Sequence, residues 1–166
     1  MLDDNGDQLD SICLPVGTVR VMENRGLSGS ISTSNYKELR REIRDRLEAW
    51  RPAPHITGDV ALCGVNARAW ARISAGEDRH GLTTIDACEL KQELRQTRRM
   101  GISERKEAYG VRTDRAEVMA IAGIVFRTLS AWLDVRSFVV PSAGLLDGVL
   151  IDMVAQHRAQ RPNLAS

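Results

Sequence analysis

Two short stretches place groups that suit phosphate recognition. Cys63-Gly64-Val65-Asn66-Ala67-Arg68 reads as a strand end, a glycine turn and the start of a helix. Such a turn leaves unpaired backbone N–H groups at the helix N-terminus, where the helix dipole also favours negative charge. Asn66 is placed to cap the helix, and Arg68 can add a bidentate, charge-assisted bond to phosphate oxygens. Pro141-Ser142-Ala143-Gly144-Leu145-Leu146-Asp147-Gly148 repeats the logic at a later strand end, with Ser142 as a cap and Gly144 allowing close approach. Each pattern equally suits an ordinary turn that only caps a helix and packs it on a sheet. Two such turns at the carboxyl ends of strands would mark one ligand crevice in an open α/β sheet.

Other chemistry has less support. The chain has no Gly-x-Ser-x-Gly, no His-Glu-x-x-His and no Gly-x-x-x-x-Gly-Lys-Ser/Thr. His55, His80 and His157 lie far apart and read as surface or loop residues. Cys63, at the end of a buried strand, reads as a small core residue rather than a nucleophile. Asp3 and Asp4 sit at a terminus and read as turn or solvent residues. Cys13, Cys63 and Cys88 form an odd set without Cys-x-x-Cys spacing, which points to free thiols in a reducing compartment, the cytoplasm. No metal-type spacing joins these cysteines to the histidines, so no metal site is assigned.

The chain that must position these groups has 166 residues, 43% hydrophobic and 27% charged, and a net charge of +1. That balance excludes a disordered chain or a fibre, and offers no field to attract nucleic acid or a membrane surface. No stretch is expected to supply the ~20 apolar residues of a membrane span. The start, Met-Leu-Asp-Asp-Asn-Gly-Asp, lacks the basic and apolar segments of a signal peptide.

Asp4-Asn5-Gly6-Asp7 signals a turn. Leu9 to Leu14 and Val19 to Met22 read as short strands, separated by a bend at Pro15 and Gly17. Tyr36, Leu39, Ile43, Leu47 and Trp50 recur at helical spacing, with Asn35 and Glu38 as a capping box and Pro52 as a stop. The opposite face alternates Arg with Glu and Asp, as a solvated, self-paired surface does. Asp59 to Cys63 reads as a buried strand and Ala67 to Ile73 as a helix. Thr84 to Arg98 reads as a helix with Ile85, Cys88 and Leu94 in the core. Ser103 to Ala108 is a short helix. A long apolar helix, capped by Asp114 with Glu117, runs through Leu133 and should be the most buried. Ser137 to Val140 is a strand, and Leu145 to His157 the closing helix. The fold class is α/β, a mixed sheet with helices packed on it. The division is an N-terminal turn segment (1–8), one domain (9–158) and a frayed tail (159–166).

Four stretches in order resemble the second lobe of the catalytic module of the Ppx/GppA phosphatases, the exopolyphosphatases and guanosine pentaphosphate phosphohydrolases. Leu14-Pro-Val-Gly-Thr-Val-Arg-Val21 is similar to the family's Leu-Pro-Leu-Gly-Ala-Val-Arg-Leu. His80-Gly-Leu-Thr83 resembles its His-Gly-x-Leu/Thr, and Arg115-Ala-Glu-Val118 its Arg-Ala-Asp-Val. Val140 to Leu150 resembles its closing Val-Ser-Asp-Gly-Gly-Leu-Arg-Glu-Gly-Leu-Leu. The resemblance implies an actin-like, ribonuclease-H-like lobe. It also implies a second lobe facing it, glycine loops from both lobes holding phosphates, and a catalytic Glu on the first lobe orienting water with magnesium.

The departures shape the expectation. The first lobe and its catalytic Glu lie outside this chain, and so does the family's Asp-x-Gly-Gly-Gly-Ser hairpin. The loop Gly-Thr-Gly-Gly-Thr-Ala-Arg is matched only at Gly64, Ala67 and Arg68, and Ser142-Ala143 replaces an Asp-Gly. No catalytic residue is therefore carried over, and magnesium enters only if the family chemistry survives. The expectation is a phosphatase lobe inactive by itself, its candidate phosphate-binding residues being Gly64, Asn66, Arg68, Ser142 and Gly144. The alternative is a non-enzymatic phosphate- or nucleotide-binding or protein-interaction module. A bare sheet edge left by the missing hairpin would invite a homodimer or a companion first-lobe chain.

Overall fold

The computed structural model describes residues 13, 15–27, 29–50, 58–74 and 82–160. The expected turn near Asp4 and nearly all of the expected strand from Leu9 to Leu14 lie outside them. The elements are α1 (Thr18–Arg25), α2 (Thr33–Trp50), α3 (Val65–Ala71), β1 (Thr83–Asp86), α4 (Ala87–Thr97), α5 (Ile102–Tyr109), α6 (Thr113–Leu133), β2 (Ser137–Val140) and α7 (Leu145–Gln160).

β2 is the middle of a small mixed sheet. β1 pairs with it antiparallel, Thr83 opposite Val140 and Ile85 opposite Phe138. On the other side Ala61 bridges Val139 in parallel sense. There the Leu62 N–H donates to the Val139 carbonyl at 2.8 Å and the Val139 N–H to the Val60 carbonyl at 2.9 Å. The expected strand at Asp59 to Cys63 is thus a short extended pairing. It is not buried, because Ala61 and Cys63 are exposed at the sheet edge. Cys63 is no core residue, and neither is Cys88, which is exposed on α4.

α6 is the spine, packed against α1, α2, α3, α4 and α5. Its run from Val118 to Ile124 is wholly buried. It is also long and apolar enough to cross a membrane, with mean hydropathy 1.5, against the expectation that no stretch would be. More than half of that window is buried within the protein, as in a core helix. Gly123 lets α3 approach. A Cβ there would stand 2.3 Å from the Trp70 ring, whose Nε1–H donates to the Met119 carbonyl at 3.0 Å.

Three expectations need correction. Val19 to Met22 is helical, as part of α1, not a strand. Gly26 closes α1 at φ +58°, and the Leu27 N–H reaches back to the Met22 carbonyl at 3.0 Å. This C-terminal motif stops a helix and buries the following apolar residue. The apparent alternation of Val19 and Val21 is too short to outweigh it, and only Val21 is buried. Thr84 to Asp86 is strand, because these residues pair with β2, and Thr84 and Ile85 are β-branched. Asp86 then caps α4, accepting from the N–H groups of Cys88 (2.7 Å) and Glu89 (3.0 Å). The capping boxes also move. Ser32 accepts from the Asn35 N–H at 3.1 Å to start α2. α6 starts after Arg112, with Asp114 in its first turn paired to Arg112 at 3.2 Å.

Candidate functional site

The two strand-to-helix turns meet. Leu62 and Val139 hold their strand segments side by side, so the turn after Cys63 and the turn after Val140 leave the same end of the sheet. Arg68, one turn into α3, donates from Nη1 to the Ser142 carbonyl at 3.3 Å. A crevice of about 320 Å³ opens there, walled by Arg68 on α3, Arg72 at its C-cap, Thr83 on β1, and Val140, Pro141 and Ser142. Arg68 and Arg72 are four residues apart on one face of α3, and both are exposed. Two guanidinium groups beside a hydroxyl make the crevice anionophilic. A larger depression of about 480 Å³, lined by Cys88, Lys91, Gln92, Arg95 and Gln96, follows the surface of α4 alone and encloses nothing.

The five candidate residues divide. Arg68 and Ser142 line the crevice together. Gly64 and Gly144 shape the turns behind them. Gly64 sits at φ +107° and ψ 175°, a conformation open essentially to glycine alone. Asn66 does not cap α3. Gly64 occupies the capping position without a side-chain bond, and Asn66 Oδ1 accepts from Arg115 Nη1 at 3.5 Å, toward α6. At the second turn the Gly144 N–H already donates to Asp147 Oδ2 at 2.7 Å. That carboxylate occupies the start of α7, where a phosphate would otherwise find a donor. Arg72 and Thr83 escaped the motif reading. Arg72 was findable, four residues beyond Arg68 on the same helix. Thr83 becomes a wall residue only through the β1–β2 register, which no local pattern announces.

The donor set does not fit magnesium. No carboxylate lines the crevice among the described residues, and no three of their His, Cys, Asp and Glu side chains gather anywhere. The arrangement can hold and orient an anion. Among the described residues it presents no group to activate water.

Comparison with known proteins agrees with this architecture. The family model of the Ppx/GppA phosphatase family matches residues 2–157. The crystal structure of the Aquifex aeolicus Ppx/GppA family member is similar at TM-score 0.77 and 18% identity, over 92% of this chain and 51% of that one. An exopolyphosphatase-like protein matches at TM-score 0.74 and 16% identity, over 86% and 50%. An exopolyphosphatase from Cytophaga hutchinsonii matches at TM-score 0.69 and 13% identity, over 84% and 48%. No curated protein matches significantly. The chain spans about half the length of these solved relatives, and their common actin-like fold is the fold of this half. With a family model over nearly its whole length, the chain belongs to the Ppx/GppA phosphatase family.

Proposed function

We propose that this chain is the phosphate-holding lobe of a Ppx/GppA-type phosphatase, and that by itself it binds phosphoanhydrides without cleaving them. The observation that carries this reading is the junction of two strand-to-helix turns at one crevice, with Arg68 and Arg72 on its wall. A pyrophosphate or the end of a polyphosphate chain presents several oxygens to such a pair, and charge-assisted bonds are the strong ones. The exposed free thiols of Cys13, Cys63 and Cys88 suit a reducing, cytoplasmic setting.

Calorimetry with pyrophosphate and tripolyphosphate tests the binding. Heat is expected at submillimolar to millimolar ligand. Arg68→Ala with Arg72→Ala should weaken binding by at least about tenfold, since each charge-assisted bond contributes ~1.5–3 kcal/mol, discounted for exposure. The thermal midpoint should stay within a degree or two, because both side chains are on the surface. No heat at millimolar ligand ends the proposal. The inactivity is tested by phosphate release from polyphosphate and guanosine pentaphosphate with magnesium present. None is expected, and rapid release by the pure chain overturns that half of the reading.

A further inference from the structure

The net charge of +1 sums over charges that the fold keeps apart. On α2, Glu38 lies 3.6 Å from Arg25 of α1, and Glu42 holds both Arg25 and Arg46. These carboxylates are engaged on the α1 side. The other side of α2 faces α4 across a groove of about 180 Å³, walled by Tyr36 and Lys37 of α2, by Lys91 and Arg95 of α4, and by Arg98 at the α4 C-cap. The groove runs into the open depression along α4, which Lys91 and Arg95 also line, beside Gln92 and Gln96. Among the described residues no carboxylate lines either one. Glu89 and Glu93 project about 160° away from Lys91 around α4, at ~100° per residue.

Arg98 fixes the groove. It donates to the Ile31 carbonyl at 3.0 Å and to Thr33 Oγ1 at 3.3 Å, and its guanidinium lies 5.2 Å from the centre of the Tyr36 ring. These partners are neutral and leave its charge uncancelled. Lys37, Lys91 and Arg95 are exposed and pair with no carboxylate among the described residues. Unpaired cations along one groove attract a polyanion. Along α4, Lys91 and Arg95 stand ~6 Å apart and Arg98 ~4.5 Å further, at about 1.5 Å per residue. That spacing suits charges carried one per nucleotide on an extended strand better than the denser charges of polyphosphate. Gln92 and Gln96 add amides that both donate and accept, as base edges and sugars require; a carboxylate peptide only accepts. We propose that the α2–α4 groove binds single-stranded nucleic acid through its phosphates. The groove shares no residue with the crevice at Arg68, so the two sites fail independently.

Fluorescence anisotropy of a labelled oligouridylate, about twelve nucleotides long, reads the binding. At ~50 mM salt a Kd of about 1–100 μM is expected, with a log–log salt slope of about −2 to −3, since each phosphate contact on a single strand adds ~0.7. Lys91→Gln with Arg95→Gln keeps good helix formers and removes two charges. It should weaken oligouridylate by at least about tenfold and flatten the slope by about 1–1.5. The thermal midpoint and the heats with pyrophosphate should stay as in the parent chain. Arg68→Ala with Arg72→Ala should leave oligouridylate binding within about twofold. No anisotropy change at ~300 μM protein overturns the proposal, and so does a double Gln variant that binds as the parent does. A glutamate oligomer, a polyphosphate of equal charge or a duplex of the same length that binds more tightly than oligouridylate overturns it too, since the groove then selects a different polyanion.

Discussion

Arg105 is a buried cation that pairs with no carboxylate among the described residues. Its guanidinium donates instead to three backbone carbonyls: Thr97 at 2.9 Å, Ala116 at 2.8 Å and Gly29. Desolvation lowers its pKa, and the fields of Tyr109 and Glu104 oppose that shift. The group stays charged because an arginine begins so far above neutrality. It ties the end of α4, the start of α6 and the Gly29 loop to one point. Arg105→Met keeps the bulk and removes all three donors. We expect a loss of ~3 kcal/mol, and a thermal midpoint lower by roughly 6–12 °C for a chain of this size. A midpoint unchanged in differential scanning calorimetry would show that water replaces the guanidinium freely. Nothing in the local sequence announced this residue, since Ser103 to Ala108 reads as a short polar helix. Its role depends on three segments distant from one another in the chain. Arg68 was legible by contrast, because its meaning lies within six residues of a glycine turn.

At the scale of elements, the long helices were legible and the short pieces beside them were not. Leu39, Ile43 and Leu47 announce α2 by spacing alone, and all three are buried. The apolar run of α6 is as plain. α1 and β1 are short, and over such lengths a pattern of alternation cannot distinguish strand from helix. Their identity comes from Gly26 at one end of α1 and from the partner strand of β1. Two glycines make a matched test of what packing does to a helix. A Cβ added at Gly123 in α6 would stand 2.3 Å from the Trp70 ring, whereas one at Gly148 in α7 would meet nothing within 4 Å. Gly123→Ala should cost about 3 kcal/mol by overpacking against the rigid indole, and so stays destabilising after the ~1 kcal/mol that alanine contributes as a better helix former. Gly148→Ala should stabilise by up to ~1 kcal/mol. Urea unfolding of the two variants should therefore give shifts of opposite sign, and a shared sign would refute the packing argument.

At the scale of the whole molecule, the fold was legible through motif order and half-legible through physics. Alternating strands and helices implied α/β layers, and four ordered motifs resembled one family, which the family model and the solved structures bear out. The sheet proved smaller than the reading implied. Among the described residues it consists of β1, β2 and the pairing around Ala61. α7 leaves its apolar residues exposed, Leu146, Leu150 and Met153 among them. Binding at the crevice should also weaken steadily with ionic strength, because both arginines are open to solvent. A pyrophosphate affinity indifferent to added salt would mean that the arginines are not the anion's partners.

The central position of β2 has a temporal consequence. Ala61 and Thr83 to Asp86 both wait for a strand made only after all of α6. During synthesis the helical spine can form as soon as its residues emerge, but the sheet has no middle until Ser137 to Val140 follow it. Refolding followed by pulsed amide labelling should thus protect α6 before Ile85, Phe138 and Leu62. A ribosome stalled ahead of Ser137 would display a helical body with the crevice unbuilt, its two turns not yet introduced to each other.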